Sequence, residues 1–227
     1  MTRPEQPSTG PRRSLTRADV VAAAIRLLDE GGIEALSMRR LATALGTGAS
    51  TLYWHVRDKD QLLALILDET IAVVSSPSDG TWRERLTALL EAARLALVAR
   101  PALVPVVLGA RWDIGHHALR VADSALGLLA ESKIPQENIA DAYFLLLHYT
   151  MGAVEAEAHA RWNSTYAQEA RRQQASTVDG TDLDEYQNLL SHGPETTPAN
   201  MAERFRFGVD TILDGLTGPS AVGLESP

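Results

Sequence analysis

The chain has 227 residues, 45% of them hydrophobic, with no cysteine and a formal net charge of −8; that suffices for a small domain plus a larger one with a sizeable core, and excludes a disulfide framework or a thiolate metal site. The acidic total would also count against a nucleic-acid binder, but the charge is uneven. Residues 1–60 carry nine Lys and Arg against seven Asp and Glu, and the remainder 12 against 22, a basic head on an acidic body that suits local phosphate binding without non-specific adhesion.

The first residues, MTRPEQPSTGPRR, are polar and proline-rich without the apolar stretch of a signal peptide. Residues 1–14 therefore read as a disordered arm, whose Arg3, Arg12 and Arg13 either reach a minor groove or form a solvated tail. The longest apolar run, residues 142–154, is interrupted by His148 and is too short to span a bilayer. A cytoplasmic protein with no membrane partner is expected. Thr16, with Asp19 in the capping-box position, starts a helix whose buried stripe is Val20, Ala24, Leu27 and Leu28 and which Gly31-Gly32 should stop.

Ser37 is a good N-cap, and Leu36 with Leu41 has the spacing of a hydrophobic staple, so a short helix starts at Met38. Leu41, Ala42 and Leu45 are its apolar side, and Gly46-Thr47-Gly48 ends it in a turn that admits a positive φ. A second helix, from about Ala49 to His55, turns Leu52 inward and places Ser50, Thr51, Tyr53, Trp54 and His55 on successive positions. Side chains on successive helical residues point about 100° apart, so these polar aromatics cannot all enter one small core. Hydroxyl, imidazole and indole donors on an outward face suit phosphate contacts; the bland alternative is core filler of a three-helix unit. Residues 15–60 thus read as a helix-turn-helix domain. Asp58 with Gln61 opens a connecting helix over residues 61–74, with Leu62, Leu63, Ile66 and Val73 on one side.

Ser75 to Gly80 is a short turn-forming boundary. Thr81 and Glu84 form a capping box for a helix whose Leu86, Leu89, Leu90, Ala93 and Leu97 recur at helical spacing up to Arg100-Pro101. A short apolar segment from Ala102 to Leu108, a helix from about Gly115 to Ser132 and a long one from Pro135 to near Arg161 follow, with no alternating strand pattern. Residues 163–197, polar and proline-punctuated with only Asp182 to Leu190 resembling a helical turn or two, read as a long mobile connection. Met201, Phe205, Val209, Ile212, Leu213 and Leu216 trace the stripe of a last helix that Gly218 terminates, leaving residues 218–227 as a tail. The fold class is all-α: an N-terminal three-helix helix-turn-helix domain and a C-terminal helical ligand-binding and dimerisation domain over residues 81–217. Two strongly apolar helices exceed what a monomer of this size must bury, which points to a homodimer.

The body places Arg111, Trp112, His116, His117, Tyr143, His148, Tyr149, Glu155 and Trp162 on mainly apolar helices, a pattern that suits a cavity for a small organic molecule. Any one of them alone reads equally well as a surface or core residue. The competing class is an all-helical enzyme using His148, His159, Glu155 and Glu157. His148 and His159 stand about three turns apart, too far for one ion, and Glu155 with His159 is only a two-ligand fragment. No nucleophile motif, P-loop or dinucleotide fingerprint is present, so no catalytic residue and no cofactor is expected.

The run TLYWHVRDKDQLL, preceded by LATALG, resembles the signature of the TetR family of bacterial transcriptional repressors. By that resemblance, the family's base-reading arginine corresponds to Arg39, the first recognition-helix positions to Ala49 and Ser50, and the phosphate-gripping positions to Thr51, Tyr53, Trp54, His55 and Lys59. Ala49 stands where the family's prototype carries a base-reading amide, so an adenine contact is missing and the operator should differ. The family pairs its long and last helices with those of a mate in a four-helix bundle. Two heads about 34–36 Å apart then read successive major grooves of a palindromic double-stranded operator. In the body, His148-Tyr149-Thr150-Met151-Gly152 is similar to a pocket segment whose histidine corresponds to His148. Val107 stands where the prototype has its metal-binding histidine, and Ala156 where it has a water-linked glutamate, so no metal is expected. The resemblance implies a homodimeric repressor released by a small organic molecule.

Overall fold

The computed structural model describes residues 14–109, 115–174, 187–192 and 200–218, and among them every regular element is a helix. The chain divides into two compact units, Met1–Ile66 and Leu67–Pro227, and the division falls inside one helix. Among the described residues no single helix is long and apolar enough to cross a membrane.

In the first unit, α1 (Arg17–Ala35) opens on a full capping box: Thr16 Oγ1 accepts from the Asp19 N–H at 3.1 Å, and the Thr16 N–H donates to Asp19 Oδ2 at 3.0 Å. Gly31-Gly32 interrupts this helix as expected: both residues leave helical geometry, Gly31 at φ −145° and Gly32 at φ 65°, and a separate short helical turn follows to Ala35, ahead of the buried Leu36. Helix α2 (Met38–Ala44) starts on Ser37, whose Oγ accepts from the Arg40 N–H. Gly46, at φ 62°, makes the turn into α3 (Ala49–Tyr53). Helix α3 is two residues shorter than expected because the His55 and Val56 N–H groups both donate to Leu52 O, at 2.8 and 2.9 Å, and close the chain into a turn. Val20, Ala24, Leu36, Leu41, Leu52, Val56 and Leu62 form the fully buried core of this unit.

Helix α4 (Lys59–Thr70) begins where Asp58 Oδ1 accepts from the Gln61 N–H at 2.7 Å. It ends before Val73, which therefore leaves the helical register and is exposed rather than lining the apolar side. In the second unit, α5 (Trp82–Val98) opens on the Thr81–Glu84 capping box. The Thr81 backbone and hydroxyl both donate to Glu84, which holds its carboxyl below the ordinary range. A 3-10 turn (Pro101–Leu103), α6 (Val104–Gly109), α7 (His116–Ala130), a second 3-10 turn (Gln136–Asn138), α8 (Ile139–Gln174), α9 (Gln187–His192) and α10 (Met201–Thr217) follow.

Helix α8 runs well past Arg161, so the first part of the segment read as a mobile connection is helical. Its sequence explains this: Ala, Gln, Glu and Arg dominate residues 167–174, and extending an existing helix through such residues needs no new nucleus. Helix α9 overlaps the end of the Asp182–Leu190 region expected to be helical and runs on to His192; residues 175–186 and 193–199 lie outside the described residues, as does the N-terminal arm.

Helices α5, α7 and α8 pack on one another, and α10 lies against α8 and α5. Met201, Phe205, Val209 and Leu213 of α10 are buried. The Tyr149 hydroxyl donates to Arg204 O and Phe205 O, at 3.0 and 3.3 Å, and its ring stacks on Phe205. Gly208 is required there, since a Cβ would collide with the Tyr149 hydroxyl. Beside this contact Arg94 of α5 and Glu157 of α8 form an ion pair with side chains 4% and 6% exposed, and the Arg94 guanidinium lies over the Phe205 ring at 5.2 Å.

Breaking such a pair strands a charge in the core. Glu157→Ala is expected to cost about 3–5 kcal/mol in urea unfolding, and Arg94→Met with Glu157→Leu to recover most of it. A loss below about 1 kcal/mol for the single variant would mean that water reaches the pair.

Candidate functional site

The head presents its candidate residues on a scaffold fixed by one anchor. Leu52 is wholly buried, whereas Ala49, Ser50, Thr51 and Tyr53, the rest of α3, are exposed, and Trp54 at its end is 88% exposed. A five-residue helix that buries one side chain leaves the others to solvent or to a partner. Arg39, in the first turn of α2, is exposed and His55 is half-buried. Lys59 is exposed but not idle: its Nζ donates to Ile33 O at 3.3 Å, tying the start of α4 to the end of α1. An ammonium has three donors, so this bond leaves it able to meet an anion. No Asp or Glu occurs between Met38 and Arg57. The face therefore offers guanidinium, hydroxyl, imidazole and indole donors without a carboxylate to repel phosphate.

The second unit contains a cavity of about 170 Å³ that opens to solvent. Leu67 and Ile71, from the end of α4 and just beyond it, form one wall, with Leu97 of α5 and Val107 of α6 beside them. Helix α7 contributes Ala118, Val121 and Ala122, and α8 contributes Tyr143, Phe144, Leu147, His148 and Met151. Among the described residues no Asp, Glu, Lys or Arg lines it. The two polar groups on its wall are specific in what they offer. His148 Nδ1 lies 2.6 Å from Phe144 O; a carbonyl only accepts, so Nδ1 carries a proton, and Nε2 is the ring nitrogen left for a ligand. Burial pushes the Tyr143 hydroxyl above its ordinary pKa, so it stays a neutral donor and acceptor.

Tyr143 and His148 are thus brought together with apolar side chains, and the other candidates are not. Tyr149 is turned toward α10. His116 lies over a separate surface depression with Arg120 and Asp123. Glu155 faces His159 across 3.7 Å on the outer side of α8. Arg111, Trp112 and the side chain of Trp162 lie outside the described residues. Val107 offers no ligand to a cation, and the described residues hold no cluster of three metal-ligating side chains.

Asp68, in the last turn of α4, escaped the sequence reading. Its Oδ1 accepts from the N–H groups of His117 and Ala118, at 2.7 and 3.1 Å, and its Oδ2 lies 3.2 Å from His117 Nδ1. A carboxylate at a helix N-terminus satisfies orphan donors and meets the positive end of the dipole. Helix α7 has no cap of its own, because Gly115 precedes it, and a Cβ at Gly115 would collide with the Asp68 carboxylate. A helix starting after glycine with no Ser, Thr, Asp or Asn was the available signal; which distant residue would supply the cap was not readable.

Comparison with known proteins adds to this geometry. Residues 20–66 match the family model described as bacterial regulatory proteins, tetR family, and residues 75–218 match the tetracyclin repressor-like C-terminal domain. The chain is 32% identical over 225 residues to the HTH-type transcriptional repressor DrrR1 of Streptomyces coeruleorubidus, covering 93% of this chain and 80% of that protein. It is 28% identical over 211 residues to the class C tetracycline repressor protein of Escherichia coli, covering 91% and 84%. Among solved structures, ActR of Streptomyces coelicolor in complex with actinorhodin superposes with a TM-score of 0.76 at 25% identity, covering 93% of this chain and 99% of that one.

Removing the remote cap should loosen α7 first. Asp68→Ala is expected to cost about 2 kcal/mol and to raise hydrogen exchange at the His117 and Ala118 amides ahead of the rest of α7. Unchanged exchange at those two amides would rule out the cap.

Proposed function

The chain belongs to the tetR family of bacterial regulatory proteins, and on that footing we propose how it works: it grips a palindromic operator as a homodimer and lets go when a small organic molecule fills the cavity. It is a transcriptional regulator and not an enzyme. A cytoplasmic location follows from its work on DNA. In the head, Arg39 reads a base, Ala49 and Ser50 approach base edges, and Thr51, Tyr53, Trp54, His55 and Lys59 hold phosphates.

The observation that carries the release mechanism is the course of α4. One helix begins at Lys59, which bonds to the end of α1, and carries Leu67 in the cavity wall and Asp68 capping α7, another wall, in its last turn. A ligand that favours one position of α7 therefore acts on Asp68, and α4 carries the shift to the head. It can do so only to the extent that its affinity differs between the two states, and couplings of about 1–3 kcal/mol weaken operator binding roughly 5-fold to 150-fold. A molecule favouring the DNA-competent state would instead act as a corepressor.

The dimer has a candidate surface in α10. Phe207 is 75% exposed and stands about 200° round the helix from the buried Phe205, so it takes no part in the packing among the described residues. Ile212 and Leu216 are half-buried. Phe207→Glu is expected to give a monomer with unchanged helix content in sedimentation and circular dichroism; a monomeric wild type would remove the dimer from the mechanism.

Selection of DNA from a random pool with the purified protein, followed by release assays with a small-molecule panel, tests the reading. Arg39→Ala should lose about 1–3 kcal/mol of discrimination at one base pair of each half-site. Truncation of Tyr53 or Lys59 should weaken all sequences alike, with a shallower salt slope for Lys59. An equal loss on every sequence for Arg39→Ala would contradict base reading.

A further inference from the structure

Behind the cavity lies a second, smaller chamber of about 60 Å³, between α5, α7 and α8. Ala93, Val121, Tyr143, Leu147 and Met151 line both spaces, so the partition between them is made of side chains and Tyr143 stands in it. The inner walls are aliphatic apart from Tyr143 and one further residue, Thr150. Thr150 is 1% exposed, and its Oγ1 finds no hydrogen-bonding partner in the protein. Other helical threonines show the ordinary alternative: Thr43, Thr211 and Thr217 each return their hydroxyl to the carbonyl four residues back. Thr150 does not, although that bond would spare it the cost of a buried, unpaired hydroxyl.

We propose that this chamber is the inner half of the effector site and takes the uncharged, oxygen-bearing end of an otherwise apolar molecule, whose hydroxyl or carbonyl meets the hydroxyls of Thr150 and Tyr143. The proposal rests on the ligand-responsive reading above and names the chemistry of that ligand. Neither chamber presents an Asp, Glu, Lys or Arg among the described residues, so a carboxylate or ammonium would lose its hydration without a counter-charge. At the outer end, His148 Nε2 is the ring nitrogen left for the ligand. The ligand thus lies between an imidazole nitrogen at the mouth and two hydroxyls within.

Three probes of one skeleton separate these features: 2-naphthol, 2-methylnaphthalene and 2-naphthoate, titrated against the full-length protein by calorimetry. Wild type should bind the naphthol about tenfold more tightly than the methyl analogue, as one buried hydrogen bond allows, and the naphthoate more weakly than either. Thr150→Val should abolish the preference for the hydroxyl while melting no lower than wild type, and Thr150→Ser should retain it. Tyr143→Phe, an independent variant, should reduce the same preference without weakening the methyl analogue. Equal binding of the naphthol and the methyl analogue by wild type, or an undiminished preference in Thr150→Val, would overturn the proposal, as would occupation by water that no probe displaces. Operator release is read separately on the same proteins. A probe that shows the hydroxyl preference yet leaves the operator bound upholds the chamber and contradicts ligand-driven release.

Discussion

The Asp68 carboxylate, set on the last turn of α4, is the contact on which the account depends, because it supplies the start of α7 with the acceptor that α7's own sequence lacks. Both partners are constrained: the amides need an oxygen, and Gly115 must lack a Cβ for that oxygen to reach them. A packed aliphatic contact would tolerate sliding, since dispersion is summed over many weak pairs. A charge-assisted hydrogen bond to two adjacent amides does not, because small displacements forfeit it. In the proposed release mechanism, motion of α7 is therefore passed to α4 as displacement rather than absorbed, and α4 runs back to Lys59.

The head answers the opposite need. Its reading helix is short, holds to the core through Leu52 alone, and leaves its remaining side chains unspent. Rigidity comes from around it: the Gly46 turn, the Ser37 cap, the closing turn at Leu52 O and the Lys59 bond to Ile33 O. Rigid surroundings keep the exposed donors at a fixed spacing without tying them up, which a phosphate surface requires. The cavity follows the same division of labour, with aliphatic walls supplying the volume and two oriented polar groups supplying the selectivity.

What the sequence discloses is what local chemistry decides. The Thr16–Asp19 and Thr81–Glu84 boxes, the Ser37 cap and the Gly46 turn are each complete within a few residues, and each was legible. The last helix was legible for the same reason, since Phe205, Val209 and Leu213 repeat at helical spacing. Elements decided by distant partners were not. Helix α8 outruns its apolar portion because its polar continuation has good helix formers. Tyr143, Tyr149 and His148 look equivalent on one apolar helix; their facing separates them, and that depends on α10 claiming Tyr149. Thr150 was legible only as part of the pocket-like segment 148–152, for a threonine inside a helix is ordinary until its hydroxyl is found without a partner.

In the proposed mechanism, ligand binding moves the two heads of the dimer relative to one another through α4. The chain has no cysteine, so a single introduced cysteine at the exposed Glu34 gives one spin label on each head. The direct measurement is the label-to-label distance by pulsed electron resonance, with and without a cavity-binding molecule that releases the operator. A shifted distance distribution is expected in the wild type, and none in Asp68→Ala even when that variant is saturated with the molecule. An unchanged distance in the wild type under releasing conditions would contradict the mechanism.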